Sequence, residues 1–386
     1  MHGVITQMTI RCSKKSLRRI LKLLLFLIDV LFIPGLSLAV FVYFLGDIQQ
    51  LFHINVPHKK HTSGQSVNSW NWRVESYSDF VYHRVSDYVT DDITNFLIAA
   101  APCHPPDKPG MIYNGTANVD YDGLFLISTS ASNLENRRIL RHLYNRYDNT
   151  KPYRIRAVFL VGRSSDLIVQ ANIEREDYQF RDIIQGNFTD HYANLTYKTI
   201  MGYRWARLYC RKVKVMLKMD DDVYLDVFKF FDYFLPIIPR RRRTIYGFLN
   251  FQPKVFREGK YKVDKGEYAK NTYPDFTSGF FIVPTLDILD ELYQVSKIIR
   301  FVHLEDVFTY GLVREAMIDV QLVHLDTITY EWKVYKDCVN DYKYRCKYMA
   351  VESPLSELLS CYDQVMTFRR QLGLPGGADK ETQLRH

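Results

Sequence analysis

Apolar and polar residues alternate along residues 213–219, and the alternation ends in three acids. Val213, Val215, Leu217 and Met219 interleave with Lys214, Met216 and Lys218. A period of two predicts a strand with one firmly apolar face. Asp220, Asp221 and Asp222 follow at its carboxyl end. Upstream, GLFLIST (Gly123 to Thr129) and IRAVFLVG (Ile155 to Gly162) read as buried strands. Between them Leu134, Ile139, Leu143 and Tyr147 recur at helical spacing. SDLIVQANIEREDYQF and YKTIMGYRWARLYC predict two further helices before the acid-tipped strand. FKFFDYFL predicts a helix after it, then RTIYGFLN a strand, TSGFFIVPT a strand and LDILDELYQVSK a helix. Strands alternating with helices predict an α/β domain with a mostly parallel sheet. In such sheets ligands gather at the carboxyl ends of strands, which is where the triplet stands.

Three adjacent carboxylates repel one another, and Asp is a poor strand residue. A hard divalent cation relieves the repulsion, and such cations often share carboxylate oxygens with a substrate phosphate. The competing reading is a solvated turn that stops the strand. A calcium loop of the EF-hand type is excluded, because counting from Asp220 its sixth and twelfth positions are Leu225 and Phe231 rather than Gly and an acid. An aspartyl-nucleophile phosphatase also puts acids after an apolar strand, but that reading rests on the triplet alone. A second acidic pair, Glu305 and Asp306, lies in HLEDVFTYG. It offers a general base, and equally a helix cap with acids in the first turn.

The ends of the chain change the picture. Of 386 residues 47% are hydrophobic, enough for one large domain or two ordinary ones. The net charge is +8, and residues 1–22 hold six lysines and arginines and no acid. Residues 23–45 form an apolar run long enough to span a bilayer, interrupted by Asp29 and Pro34–Gly35. The basic flank predicts a cytosolic tail and a lumenal body. The run is too long for a cleaved signal peptide and no small-x-small site follows it. Sequons at Asn114, Asn187 and Asn194 and five cysteines beyond the span agree with a secretory compartment. Five is odd, and the pairing is not readable. Residues 46–118 read as a loop-rich stem, 119–365 as the folded domain and 366–386 as a tail. The basic run Arg240 to Arg243 reads as a loop, and the compartment argues against a nucleic-acid partner.

Several blocks resemble the β-1,3-glycosyltransferase family of β-1,3-galactosyltransferases and β-1,3-N-acetylglucosaminyltransferases. They are FLISTSASNLENRRILRHLYN, AVFLVG, DIIQGNFTDHYANLTYKTIMGYRWARLYC, KMDDDVYL, YPDFTSGFFIV and EDVFTYG, in the family's order. The resemblance runs from about Gly123 to Asp326 and covers roughly half the chain. It implies a GT-A type nucleotide-sugar-binding fold, a UDP-sugar donor, a glycan acceptor, Mn²⁺ with Mg²⁺ as substitute, and inversion at the anomeric carbon. It implies Asp222 and Asp220 at the metal, with Asp221 beside the donor, and Asp306 as the base. It also puts Arg137, Arg141 and Lys198 near the nucleotide or its binding loop, and Ser278 and Gly279 in the donor and acceptor cleft. It further implies a Golgi membrane protein with a single span.

The chain departs from the family at several positions. Leu143–Tyr144–Asn145 replace T-W-G, Asn187 replaces an acid, Thr277 replaces a cysteine, and Phe280 and Phe281 replace small residues. Where the family usually has a late metal-binding His, Glu331 and Glu352 stand as candidates and the choice between them stays open. Such divergence also keeps a different class of function in view: an inactive relative acting as a sugar-binding or chaperone-like secretory protein.

Overall fold

The computed structural model describes residues 88–103 and 120–374. The expected tail and membrane span, Asn114, most of the stem and the last residues lie outside them. Among the described residues no helix is long and apolar enough to cross a membrane.

Among the described residues eight strands make the main sheet. They are β1 (Phe96–Ile98), β2 (Gly123–Ser128), β3 (Ile155–Arg163), β4 (Ile183–Thr189), β5 (Val215–Asp220), β7 (Thr244–Asn250), β8 (Phe276–Pro284) and β9 (Gln321–His324). Their spatial order is β1-β4-β3-β2-β5-β8-β7-β9. A second sheet has the order β10 (Ile328–Thr329), β11 (Ala350–Glu352), β6 (Val223–Leu225). The run β4-β3-β2-β5 is parallel throughout. β8 is antiparallel to both β5 and β7. The expected mostly parallel sheet is therefore corrected to a parallel half joined to a mixed half. The cause is local: no helix intervenes between β7 and β8, and parallel neighbours need a crossover.

Helices cover both faces of the parallel half. α1 (Leu134–Tyr144), α4 (Val227–Ile237) and α7 (Leu355–Gln371) pack on Phe125, Ile127, Phe159, Leu217 and Met219. α3 (Leu195–Tyr209) and α5 (Leu289–Ser296) pack on Leu124, Leu126, Val158, Leu160 and Met216. α2 (Leu167–Phe180) lies between β3 and β4 in the chain, and α6 (Trp332–Tyr342) precedes β11. β2 and β5 are thus buried on both faces, as parallel strands with helices on each side must be. The expectation of one apolar face on β5 is corrected accordingly, and Lys218 is buried on the other face.

Two boundaries also move. β1 pairs with β4, Cys103 is disulfide-bonded to Cys210, and the Trp205 indole donates to the Ala100 carbonyl at 3.2 Å. Residues 88–103 therefore belong to the folded domain rather than to a stem. At the other end α7 continues to Gln371, past the expected limit at 365. Cys338 pairs with Cys346, and Cys361 is free and buried.

The chain order β2, β3, β4 steps one way across the sheet, and β5 returns to the other side of β2. That reversal opens a crevice at the carboxyl ends of β2 and β5. Ser128 and Asp220 are register partners at its mouth.

Candidate active site

The crevice is a cavity of about 890 Å³ whose walls include Asp220, Asp221, Asp222, Lys198, Ser278, Gly279, Glu305, Asp306 and Glu352. Most of the residues expected at the site, from five separate stretches of chain, are thus brought together.

The three acids of the triplet have different partners. Asp220 accepts from the Lys218 ammonium at 2.9 Å. Asp221 turns back toward β2 and accepts from the Thr129 hydroxyl at 2.6 Å and the Asn133 amide at 2.8 Å. Asp222 is exposed to the cavity and has no ion pair. Its surroundings desolvate it, Asp220 and Asp221 repel it, and its pKa is pushed up to about 6. Like charges crowded together disfavour ionisation in this way.

Glu352 completes the crowd. It lies on β11 in register with Val223 of β6, and the Ser353 amide donates to the Asp222 carbonyl at 2.7 Å. Burial, then the charges of Asp222 and Asp220, push its pKa up to about 7. Glu331 instead sits at the start of α6, outside the cavity walls. Of the two late acids left open by the sequence, the fold brings Glu352 to the triplet. His324 is held elsewhere, accepting from the Leu249 amide at 3.1 Å.

Among the described residues no three His, Cys, Asp or Glu side chains are already gathered to hold a metal. The arrangement therefore does not fit an all-protein cage. It does fit a hard cation that takes one or two carboxylates and completes its shell with phosphate oxygens and water. Asp222 and Glu352 are the carboxylates left free of hydrogen-bonded cations for this task, with Asp220 beside them.

Lys218 was not singled out by the sequence. Its ammonium donates to Asp220, to Glu305 Oε1 at 2.6 Å and to the Gly279 carbonyl at 2.7 Å. Burial works against its charge, but Asp220 and Glu305 outweigh burial and raise its pKa. Glu305 also accepts from Thr199, and burial holds its carboxyl above the usual range. Glu305 is therefore spoken for. Gly279 is small for a reason: a Cβ there would collide with Glu305 Oε1.

Asp306 begins a wide π-helical segment, Val307–Val313, a form that often marks functional sites. One carboxylate oxygen accepts from the Val307 amide at 2.8 Å. Burial raises the pKa of the group. The residue caps this segment and also lines the cavity. Ser278 accepts from Asn250 at 2.8 Å and lies 3.2 Å from the Tyr330 hydroxyl. Tyr192, Tyr261, Tyr273, Phe276, Phe280 and Tyr330 supply aromatic walls, suited to sugar faces. Phe281 points away into the core against Phe230, so only Phe280 of that pair narrows the cleft.

The basic residues divide. Lys198 lines the cavity, donates to the Thr129 carbonyl at 2.6 Å and pairs with Asp190 at 3.2 Å. Burial lowers its pKa. Arg137 is fully buried, forks onto Glu176, and donates to the carbonyls of Ser130 at 2.6 Å and Ala131 at 3.0 Å. It braces the loop after β2 and does not itself line the cavity. Arg141 lies a turn further on, bound to Asp182 and Glu176 and away from the cavity. Of the three basic residues expected near the nucleotide or its binding loop, it is the one set apart from both the cavity wall and the loop after β2.

The departures have structural uses. Asn145 brackets Ala157 of β3 through both its amide and its carbonyl, at 3.0 and 2.8 Å, and the Tyr144 hydroxyl accepts from the Leu225 amide. The Thr277 hydroxyl is buried without a partner. Asn187 is exposed on β4. Asn194 donates to the Thr189 carbonyl at 2.8 Å, and Thr196 of its sequon is buried on the Val302 carbonyl.

Residues 135–326 match the Galactosyltransferase family. The chain is 33% identical over 187 residues to β-1,3-galactosyltransferase 1 of Mus musculus and of Homo sapiens, covering 48% of this chain and 57% of the relative. It is 32% identical over 199 residues to β-1,3-galactosyltransferase 5 of Homo sapiens, covering 50% and 63%. The matches thus span less than two thirds of the relatives' length. A solved glycosyltransferase involved in glycosylation of the major capsid of PBCV-1 aligns with 63% of this chain and 99% of its own, at 13% identity and a TM-score of 0.32. The fold assignment rests on the chain's own sheet rather than on that likeness. The match to the galactosyltransferase family spans residues 135–326, just under half of this chain.

Proposed function

We propose that this chain is an inverting β-1,3-glycosyltransferase. It moves a hexose or N-acetylhexosamine, galactose favoured, from a UDP-sugar to a hydroxyl of a glycan on a protein or lipid. The reading includes a GT-A type fold and a single-pass Golgi membrane protein whose residues 23–45 are the anchor and whose body is lumenal. The preference for galactose is supported by the names of the relatives.

The observation that carries the reading is that Asp306 and the acids Asp220, Asp222 and Glu352 line one cavity at the sheet's switch point. A divalent cation, Mn²⁺ or Mg²⁺, bound at Asp222 and Glu352 would neutralise the diphosphate of the donor. Asp306 takes the proton of the acceptor hydroxyl, and its raised pKa makes it a stronger base than a solvated carboxylate. The acceptor oxygen then attacks the anomeric carbon opposite the departing diphosphate, so the configuration inverts. Lys198 and Arg137 hold the loop Thr129–Ala131 that borders the donor side. Lys218 keeps Asp220 and Glu305 in place beneath.

The test is acceptor-dependent UDP release by the purified chain with Mn²⁺, a panel of UDP-sugars, and galactoside and N-acetylhexosaminide acceptors. Asp306→Asn should lower turnover by about 10²–10⁴-fold and leave UDP binding nearly intact. Normal turnover by that variant would remove Asp306 as the base. Folded protein that binds UDP and releases none with any acceptor would favour the inactive-relative reading.

A further inference from the structure

A second cavity, also about 890 Å³, lies at the other end of the parallel strands, among the end of α1, the start of β3 and the end of α2. Its walls carry Arg138, Arg141, Arg146, Arg154, Arg156 and His142, against a single acid, Asp182. Asp182 is taken up by Arg141 at 2.9 Å. Arg138 is paired outward with Glu135 at 2.6 Å. Among the described residues, three guanidinium groups of this cavity have no carboxylate partner, those of Arg146, Arg154 and Arg156. Arg156 donates to the carbonyls of Ala101 and Arg181, at 3.1 and 2.6 Å, which leaves its charge uncompensated. Arg146 contacts the His142 ring nitrogen at 3.3 Å, and Arg154 lies over the Tyr147 ring at 5.3 Å. Phe180 and Tyr147, both on the cavity wall, are exposed aromatic rings.

Uncompensated arginines in a concave site recognise anionic oxygens, because the guanidinium fork matches carboxylate and sulfate oxygens two at a time. Exposed rings beside them add stacking surfaces for sugar rings. We propose that this cavity is an exosite for a polyanionic oligosaccharide, one carrying sulfate or carboxylate groups, separate from the cavity at the strands' carboxyl ends. The arginines at the rim take the anionic groups, and Phe180 and Tyr147 take the sugar faces. A site of this kind would hold an anionic glycan chain on the enzyme independently of the sugar being extended.

The test uses the full chain in detergent and a heparin-derived hexasaccharide as the probe, with binding followed by calorimetry at low and moderate salt. Binding should weaken with salt, as for any exposed charge contact. The double variant Arg146→Ala/Arg154→Ala should bind about tenfold or more weakly with an unchanged melting temperature. A triple variant, Arg240→Ala/Arg241→Ala/Arg242→Ala, should bind as the wild type does, since that exposed basic run lies elsewhere. Three outcomes would overturn the proposal: no binding by the wild type, equal loss in the triple variant, or equally tight binding of an uncharged hexasaccharide. Equally tight binding of an acidic peptide of the same charge would replace the glycan with a protein partner and overturn it too.

Discussion

Replacing Lys218 with Met keeps the side-chain length and removes one buried cation. Only 1% of the Lys218 side chain is exposed, and all three ammonium protons are spent on Asp220, Glu305 and the Gly279 carbonyl. Taking away one partner of a buried pair costs about 3–5 kcal/mol, because the other charge stays in a dry site. Here that charge is Glu305, left with Thr199 alone. The cost depends on pH, and its sign follows from Glu305. Burial already holds this carboxyl above its ordinary value, and losing Lys218 raises it further. The folded variant then binds a proton that the unfolded chain has released, so its stability falls as pH rises above the unfolded carboxylate range. The gap to wild type should be ~1–2 kcal/mol near pH 6, below the wild-type Glu305 value of about 7, and ~3–4 kcal/mol near pH 8.5, because each pH unit between adds at most ~1.4 kcal/mol. At about 2–4 °C per kcal/mol for a domain of this size, the gap at the higher pH is ~10 °C in melting temperature. Thermal melts by circular dichroism at both pH values measure it. Adding Glu305→Leu to Lys218→Met should recover much of the loss. A variant that melts with the wild type at the higher pH, or a gap that does not change with pH, would refute the reasoning.

Two further outcomes follow from the same site. Gly279→Ala should destabilise by about 1–3 kcal/mol, because Glu305, pinned by Lys218 and Thr199, cannot retreat from a Cβ that collides with Oε1; a melt matching the wild type would show that Glu305 is free to move. Mn²⁺ affinity by calorimetry should fall as pH drops through the pKa of Glu352, about 7, and of Asp222, about 6, by up to about tenfold per pH unit for each carboxylate that must lose a proton. Glu352→Gln should flatten the upper part of that profile, and a pH-independent affinity would exclude both groups as ligands.

Much of the fold was legible because its signals are local. The apolar runs of β2, β3 and β5 and the 3.6-residue spacing of α1 are properties of contiguous residues. Helix α1 ends at Tyr144 rather than reaching Tyr147 because Asn145 is drawn onto Ala157 of β3, a contact twelve residues away. The antiparallel placement of β8, and the addition of β1 to the edge of the sheet, depend on pairings that no periodicity encodes. The acids of the site were legible as types. Their pairing was not: Lys218 reads as one more polar position in an alternating strand until both faces of that strand are known to be buried. Glu352 could not be preferred to Glu331 without the register of β11 on β6. Arg141 shares a helix face with Arg137, yet one turn of α1 carries it from the loop after β2 to the far end of the strands.

Placing three acids in a row at the end of a buried strand is tolerable because only one of them is left for a ligand. The backbone turns sharply between β5 and β6, so Asp220, Asp221 and Asp222 face three directions. Asp220 faces inward to a lysine, which is what permits a carboxylate so close to Glu305. Asp221 faces β2 and fastens the loop at Thr129 and Asn133 to the tip of β5, where it fixes the width of the crevice. All three line the cavity, but Asp222 is the one without a side-chain partner there, and Glu352 lines the same cavity from the second sheet. A cation held by Asp222 and Glu352, as proposed, would be shared between two sheets, and the short β6–β11 pairing would set the distance between its carboxylates. A substitution that loosens that pairing would act on cation affinity before it acts on the fold, since the main sheet is held by β2, β3 and β5 and does not depend on it.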